Sequence, residues 1–400
     1  MTQGPTTGAT PADIHAIVDE IAPALIDIRR TLHANPELGF QEYETSRLVQ
    51  SELTKIGIDH RNGFGETGVA GLVGSGDGKT VGIRGDMDAL PIEESESPAY
   101  ASRNKGVMHA CGHDAHTAIL LGVATVLARL KNDLPGRAMV IFQPAEEGLG
   151  GARAMLESGL FDWVKPDAML GYHNWPLIAP GSVGWHPKTA FASTDPFDIT
   201  ITGRSGHGAH PHMTIDPIVA ASSLIGDLQT IVSRRVAPLD AAVVSIGRIE
   251  GGTARNQIPD TVRLEGTMRA QTTAVRDTVR SAIKNICRAT EEGYGVTCDL
   301  AFLQGVPPVV NDPACLGPVL EEARRMLGNE NVVELPQGSM GSEDFAEFST
   351  RIPAAHLRIG SKRADRDTML HRSNFDLDEL CIPTAVKVLS AAAIRMMTRT

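Results

Sequence analysis

Apolar residues at Ile14, Ile17, Val18, Ile21, Leu25, Ile28 and Leu32 recur three or four positions apart, which predicts a helix over residues 14–34 that Asn35-Pro36 ends. A second helix is expected over 46–56, and short strands over 68–73 and 80–84 on either side of the turn Ser75-Gly76-Asp77-Gly78. An apolar helix over 117–130 follows. A short buried strand over 138–143 then runs directly into Pro144-Ala145-Glu146-Glu147. Strands alternating with helices predict an α/β sheet covered on both faces. In such sheets chemistry gathers at the carboxyl ends of the strands, where Asp86, Asp88, Glu146 and Glu147 fall.

The pattern changes near residue 190. A strand over 195–202, a helix over 217–233, strands over 241–249 and 261–268, a helix over 274–291 and a strand over 297–303 give the order β-α-β-β-α-β of a ferredoxin-like module. Four hundred residues exceed what one hydrophobic core usually supports. The expected organisation is therefore a larger α/β domain, residues 12–190 and 305–400, with a satellite domain over 191–304 inserted into it.

The formal net charge is −11, from 37 Lys plus Arg against 48 Asp plus Glu, which argues against nucleic acid or an anionic membrane as the main partner. An anionic substrate would need a locally placed cation. The longest apolar run, residues 118–128, falls short of the roughly 18 residues needed to span a bilayer. The opening MTQGPTTGATPADIH has no basic segment followed by an apolar run, so a disordered lead-in is expected there rather than a secretory signal. Five cysteines, Cys111, Cys287, Cys298, Cys315 and Cys381, show no paired spacing. An odd count without a signal fits a reducing compartment, and a cytoplasmic location is expected.

The chemistry concentrates in two short segments, MHACGHDAHT over 108–117 and FQPAEEGLGGA over 142–152. Cys, His and Glu hold transition-metal ions at neutral pH, and a second Glu beside a ligand Glu offers a base that need not be a ligand. Cys111 and His113 lie two apart just before the apolar helix. Alone, that pair also fits a buried Cys beside a surface His. His109, His116 and Asp114 share the same ten residues, and an imidazole ligand needs an acceptor on its other nitrogen, a role open to Asp114, Asp86 or Asp88. Each of these aspartates could equally cap a helix or a turn. Glu146 and Glu147, adjacent at a strand end, would repel unless a cation lies beside them, although two solvated helix-start glutamates would have the same look.

His173 in MLGYHNWP and His371 in MLHRSNFD each end a short apolar run, and singly either could be an ordinary hydrogen-bonded histidine. With Cys111, His113 and Glu147 they make five ligands, too many for one open tetrahedral ion but suited to two ions sharing a bridging group. In the inserted module His207, His210 and His212 share a Gly-rich turn, while Asn256 and Arg269 could present polar groups to an anion, Arg269 alternatively forming a surface salt bridge. Aromatic content is only 4%, so a stacking pocket would rest on few side chains, such as Phe191, Trp175 or Trp185.

In order, RRTLHANPELGFQE, RGDMDALPIEE, MHACGHDAHT, FQPAEEGLGGA, GYHNWP, GRSGHGAHPH, NQIPDTVRLEGTMR, MGSEDFAEF and HRSNFDLDEL resemble the signature series of the aminoacylase, hippurate hydrolase and auxin-conjugate hydrolase family, over about residues 25–390. The resemblance implies a metallopeptidase-like α/β catalytic domain interrupted by a ferredoxin-like satellite that makes dimer contacts or closes over the site. A homodimer or homotetramer is expected on that basis. By carry-over, Cys111, His113, Glu147, His173 and His371 would hold two divalent ions, Mn, Zn, Ni or Co, with Cys111 where relatives often have a bridging carboxylate. Glu146 would be the general base, His207 would stabilise the oxyanion, within its own subunit or across an interface, and Asn256 and Arg269 would hold a substrate carboxylate. Asp86 falls where many relatives carry a metal-binding His and is placed, with Asp88, behind the ligands.

The implied reaction is hydrolysis of the amide in an N-acyl amino acid to a carboxylic acid and a free amino acid. The alternative is a metallo-dipeptidase or carboxypeptidase, since the same centre cleaves either bond. A zinc deaminase would need His-x-Glu and Pro-Cys-x-x-Cys segments, which do not occur in the chain. A silent metal-binding protein would be expected to lack the base, which is present as Glu146.

Overall fold

The computed structural model describes residues 10–96 and 98–398, in two compact units: one of described residues up to Lys188 with Val310–Gln337 and 347–398, and one of Thr189–Val309 with Gly338–Ala346. The first helix spans Pro11–Ala34, starting earlier than its apolar period suggests. Thr10 and Asp13 cap it reciprocally: the Asp13 N–H donates to Thr10 Oγ1 and the Thr10 N–H donates to Asp13 Oδ2, with Pro11 in the first turn. The expected lead-in therefore gives way to helix at Pro11, and its first nine residues lie outside the described residues.

The first unit is built on an eight-stranded sheet running Asp59–Phe64, Gly68–Val73, Arg137–Gln143, Thr80–Asp86, Ala168–Trp175, Ala354–Gly360, Val183–Trp185 and Val332–Glu334 from edge to edge. The four central strands, Arg137–Gln143 to Ala354–Gly360, are parallel to one another. They are buried along almost their whole length, as parallel strands covered on both faces must be. Helices Pro11–Ala34, His113–Arg129 and Cys381–Met397 contribute Val18, Leu25, Leu121, Val386 and Leu389 to one core. Gly122 lets these helices meet: a Cβ there would lie 2.6 Å from Val386 Cγ2 and 2.7 Å from Leu25 Cδ1.

The second unit carries a four-stranded antiparallel sheet in the order Ala242–Gly251, Thr261–Ala270, Ser193–Thr202, Thr297–Phe302. With helices Pro217–Thr230 and Thr273–Tyr294 this is the β-α-β-β-α-β topology expected from the strand and helix periods. Phe197, Ile199 and Ile201 alternate inward from the central strand onto Leu224, Leu228, Val279 and Ile283 of the helices. Gly338–Ala346 joins this unit through backbone pairing that no periodicity announces: the Ala192 N–H donates to the carbonyls of Ser339 (2.9 Å) and Gly341 (3.0 Å).

One charged cluster is buried in the first unit. Arg29, fully buried, is ion-paired with Asp114, its Nε 2.8 Å from Oδ2, and donates from Nη2 to Asp376 Oδ1 at 2.8 Å, while His33 Nδ1 lies 2.8 Å from Asp114 Oδ2. Burial opposes the charge on Asp114, but Arg29 and His33 override it and hold its carboxyl far below the usual range. Replacing Arg29 with Met is expected to destabilise the protein by about 3–5 kcal/mol, because two buried carboxylates lose their counter-charge. Urea denaturation measures it, and a loss below about 1 kcal/mol would refute the pairing.

Candidate metal centre

The carboxyl ends of three adjacent parallel strands, Arg137–Gln143, Thr80–Asp86 and Ala168–Trp175, lie side by side, with Asp86 in register with Gln143. The first leads into Glu146 and Glu147, the second ends at Asp86 two residues before Asp88, and the third carries His173. Helix His113–Arg129 begins at the same end. Its N-cap is Gly112 at φ +86°, where a Cβ would overlap the side-chain amide of Asn174. His371 arrives on the loop before helix Cys381–Met397, held by its N–H donating to the Ala110 carbonyl at 2.8 Å.

All five candidate ligands converge. Donor atoms of Cys111, His113 and His173 lie within 4.8 Å of one another, and so do those of Cys111, Glu147 and His371. Cys111 Sγ is 3.3 Å from His173 Nε2, and His371 Nε2 is 3.2 Å from Glu147 Oε1. Glu146 groups with His113 and Glu147 within the same distance. Cys111, His113 and His173 are buried, whereas the His371 side chain is 52% exposed, so this unit's site opens on the His371 side.

The supporting contacts fix the rings. His173 Nδ1 lies 2.6 Å from the Asn174 carbonyl, an acceptor, so Nδ1 carries the proton and Nε2 offers a lone pair toward Cys111. Asp88 faces two ways: Oδ1 is 3.1 Å from His113 Nδ1, and Oδ2 accepts the Glu147 N–H at 3.0 Å. Asp86 accepts from Arg84 Nη1 (2.7 Å) and from His116 Nδ1 (2.5 Å), and its Oδ2 lies 3.6 Å from His113 Nε2. Asp114, one of the acceptors considered from sequence, instead faces Arg29 and His33.

The field at this site is strongly anionic. Burial pulls the His113 imidazole down, yet Asp86, Asp88 and Glu147 outweigh it and push it up to about 10. Burial, and then the charges of Glu147, Glu146 and Asp86, raise the Cys111 thiol well above its ordinary value. His173 moves the other way, lowered by burial and by its neighbours His116 and Arg358. Sulfur, neutral imidazole and carboxylate donors under a negative potential suit a cation.

Three further residues support the cluster; His116 stands in the donor-rich segment 108–117, whereas Arg84 and Asn174 carry no metal-ligand signal of their own. Arg84 anchors Asp86, His116 accepts the Asn174 N–H at 2.9 Å on its Nε2, and Asn174 Nδ2 donates to the Cys111 carbonyl at 2.6 Å. The hint in the sequence is an Asn directly after a candidate ligand at the end of an apolar run, and in the structure that Asn is fully buried.

The remaining candidates belong to the second unit. His207 pairs with Gln257 across a two-stranded ribbon, next in sequence to Asn256, whose carbonyl accepts the Gly208 N–H at 2.8 Å. His207 Nδ1 accepts the Ala209 N–H at 3.0 Å, which leaves Nε2 as the protonated, donating nitrogen. Arg269, half-buried on strand Thr261–Ala270, donates to the Met340 carbonyl at 3.2 Å and forms no salt bridge among the described residues.

Residues 82–395 match the sequence pattern of peptidase family M20/M25/M40. The chain belongs to that family. It is a family of amide-bond hydrolases, and the chain is accordingly a hydrolase acting on amide bonds. It is 40% identical to N-acetyl-L-cysteine deacetylase of Bacillus subtilis over 374 residues, covering 93% of this chain and 88% of that protein. It is 38% identical to thermostable carboxypeptidase 2 of Saccharolobus solfataricus over 369 residues, 90% and 92% of the two chains. Among solved structures it resembles the YXEP protein of Bacillus subtilis, described as a dinuclear metal binding peptidase from the M20 family, with a TM-score of 0.84, 35% identity and coverage of 95% and 99%. The likeness to aminoacylase-type hydrolases read from the motifs is thus borne out for the family.

Asn174→Ala should cost about 1–3 kcal/mol, since buried partners lose their hydrogen bonds. It should also speed alkylation of Cys111. Mass-spectrometric labelling at pH 7.5 checks this, and an unchanged Cys111 rate would show that Asn174 does not hold the loop.

Proposed function

We propose that this M20 member cleaves the amide of N-acyl amino acids, such as acetyl-, benzoyl- or indoleacetyl-amino acids, to a carboxylic acid and a free amino acid. Two divalent ions, drawn from Mn, Zn, Ni and Co, would be held by Cys111, His113 and His173 on one side and by Cys111, Glu147 and His371 on the other. The observation that carries the reading is that the two donor triples share a single atom, the Cys111 sulfur. The donor set fits: one neutral ring with its proton turned away, one sulfur, and carboxylates behind them that favour positive charge. When bound, such ions polarise a carbonyl and bring water within reach of a carboxylate base.

Glu146, beside Glu147 and His113, takes the proton of the attacking water and delivers it to the leaving amine. Asp88 orients both His113 and the Glu147 backbone, and Asp86, locked by Arg84 and His116, stands behind His113. His207 is assigned the oxyanion, supported by its donating Nε2, and Asn256 and Arg269 the substrate carboxylate, supported by the absence of a salt-bridge partner for Arg269 among the described residues.

The 40% identity to an N-acetyl-L-cysteine deacetylase supports the acyl-amino-acid reading, and the 38% identity to a carboxypeptidase supports a second, cleavage of peptides. A panel of N-acyl amino acids against dipeptides separates them: the first reading requires higher kcat/KM on the acyl compounds, and preference for dipeptides would overturn it. Glu146→Gln should keep the full complement of bound metal while lowering kcat by about 10²–10⁴, and a fully active variant would exclude Glu146 as the base. His371→Ala should reduce bound metal from two equivalents to one, by elemental analysis, and retention of both would remove His371 from the ligand set.

A further inference from the structure

We infer that Glu42 is a positioning residue for Glu146, holding the backbone of Ala145 in the left-handed conformation that presents Glu146, while the Glu147 N–H is held separately by Asp88 at 3.0 Å. Ala145 sits at φ +54°, a region that L-residues other than Gly, Asn and Asp seldom occupy unless their surroundings enforce it. Both of its peptide groups are tied. Its N–H donates to Glu42 Oε1 at 2.8 Å, and its carbonyl accepts the Gly151 N–H at 3.0 Å. Glu42 is itself fully buried, and its second oxygen accepts the Thr67 hydroxyl at 2.6 Å.

The loops around this contact leave little room for adjustment. A Cβ on Gly39 would lie 2.7 Å from Leu149 Cδ1 and 3.1 Å from Ala145 Cα, one on Gly68 would lie 3.1 Å from Pro144 Cδ, and one on Gly151 would overlap the Pro144 carbonyl. The segments 39–42, 64–68 and 144–151 therefore close on each other, with Glu42 as the polar link between them. Burial pushes the Glu42 carboxyl up to about 7, against the opposing hydrogen bond from Thr67. An amide there is consequently a fair mimic, able to accept from Ala145 through its oxygen.

This inference rests on the reading of Glu146 as the base. Its test measures kcat, KM and bound metal for Glu42→Ala, Glu42→Gln and Thr67→Val on the N-acyl amino acid that the parent turns over best. Glu42→Ala is expected to lower kcat at least tenfold, with KM within about threefold and metal content unchanged. Glu42→Gln should return kcat to within about threefold of the parent, and Thr67→Val should give a smaller fall in the same direction. Unchanged kcat in Glu42→Ala, loss of metal in step with activity, or a Gln variant as slow as the Ala variant would overturn it. Should Glu42→Ala fail to fold, a Thr67→Val enzyme with parental kcat does the same. An active Glu146→Gln enzyme would remove the base reading itself, whereas an inactive one beside a fully active Glu42→Ala would remove only the role of Glu42.

Discussion

A concentration of like-signed groups governs the first unit: buried Asp86 and Asp88 and half-buried Glu146 and Glu147 meet at one end of the sheet around a thiol and two imidazoles. Carboxylates crowded away from water raise one another's proton affinity and destabilise the fold unless positive charge is brought to them. Part of that charge is internal, since Arg84 neutralises Asp86 at 2.7 Å. The rest falls on His113, whose imidazole is drawn toward its protonated form despite full burial. On the proposed ligand set, a cation held by Cys111, His113, His173, Glu147 and His371 would satisfy the same field, and binding it would require a thiolate and neutral imidazoles. Folding and metal affinity are on this account two readings of one electrostatic problem.

Backbone geometry solves that problem as much as side-chain chemistry does. Parallel strands place their carboxyl ends in one row, and residues outside the usual φ range turn the chain sharply where donors must converge: Gly112 before His113, Ala145 before Glu146, and His371 itself at φ +63°. Each such turn is held by a specific partner, Asn174 against Gly112, Glu42 on Ala145 and Ala110 on His371. Asp88 then ties a ring to a neighbouring loop through its two oxygens, so that His113 and Glu147 cannot shift independently.

Much of this was legible in the chain itself. Period-2 and period-3.6 patterns located the α/β alternation and the β-α-β-β-α-β module, and donor-rich segments stood out because they end apolar runs. The supporting residues did not stand out. Glu42, 103 positions from the Ala145 N–H it accepts, sits in a loop whose period says nothing of its partner, and Asn174 looks like the polar end of a strand. Asp114 was ambiguous for a related reason: its neighbour His113 points to the cluster, but one position along a helix turns a side chain by about 100°, and Asp114 meets Arg29 instead. The Gly338–Ala346 segment joins its unit through its backbone carbonyls, which accept from the Ala192 N–H and from the side chains of Arg269 and Gln271, so its own side chains show no period to read.

The shared sulfur is the most exposed point of the account. Titrating metal-free protein with Co(II) while recording the near-ultraviolet and visible spectrum tests it directly. Two equivalents should bind per chain and develop a thiolate-to-cobalt charge-transfer band that Cys111→Ala abolishes. Binding of cobalt without that band, or a band that persists in Cys111→Ala, would contradict a centre bridged by Cys111.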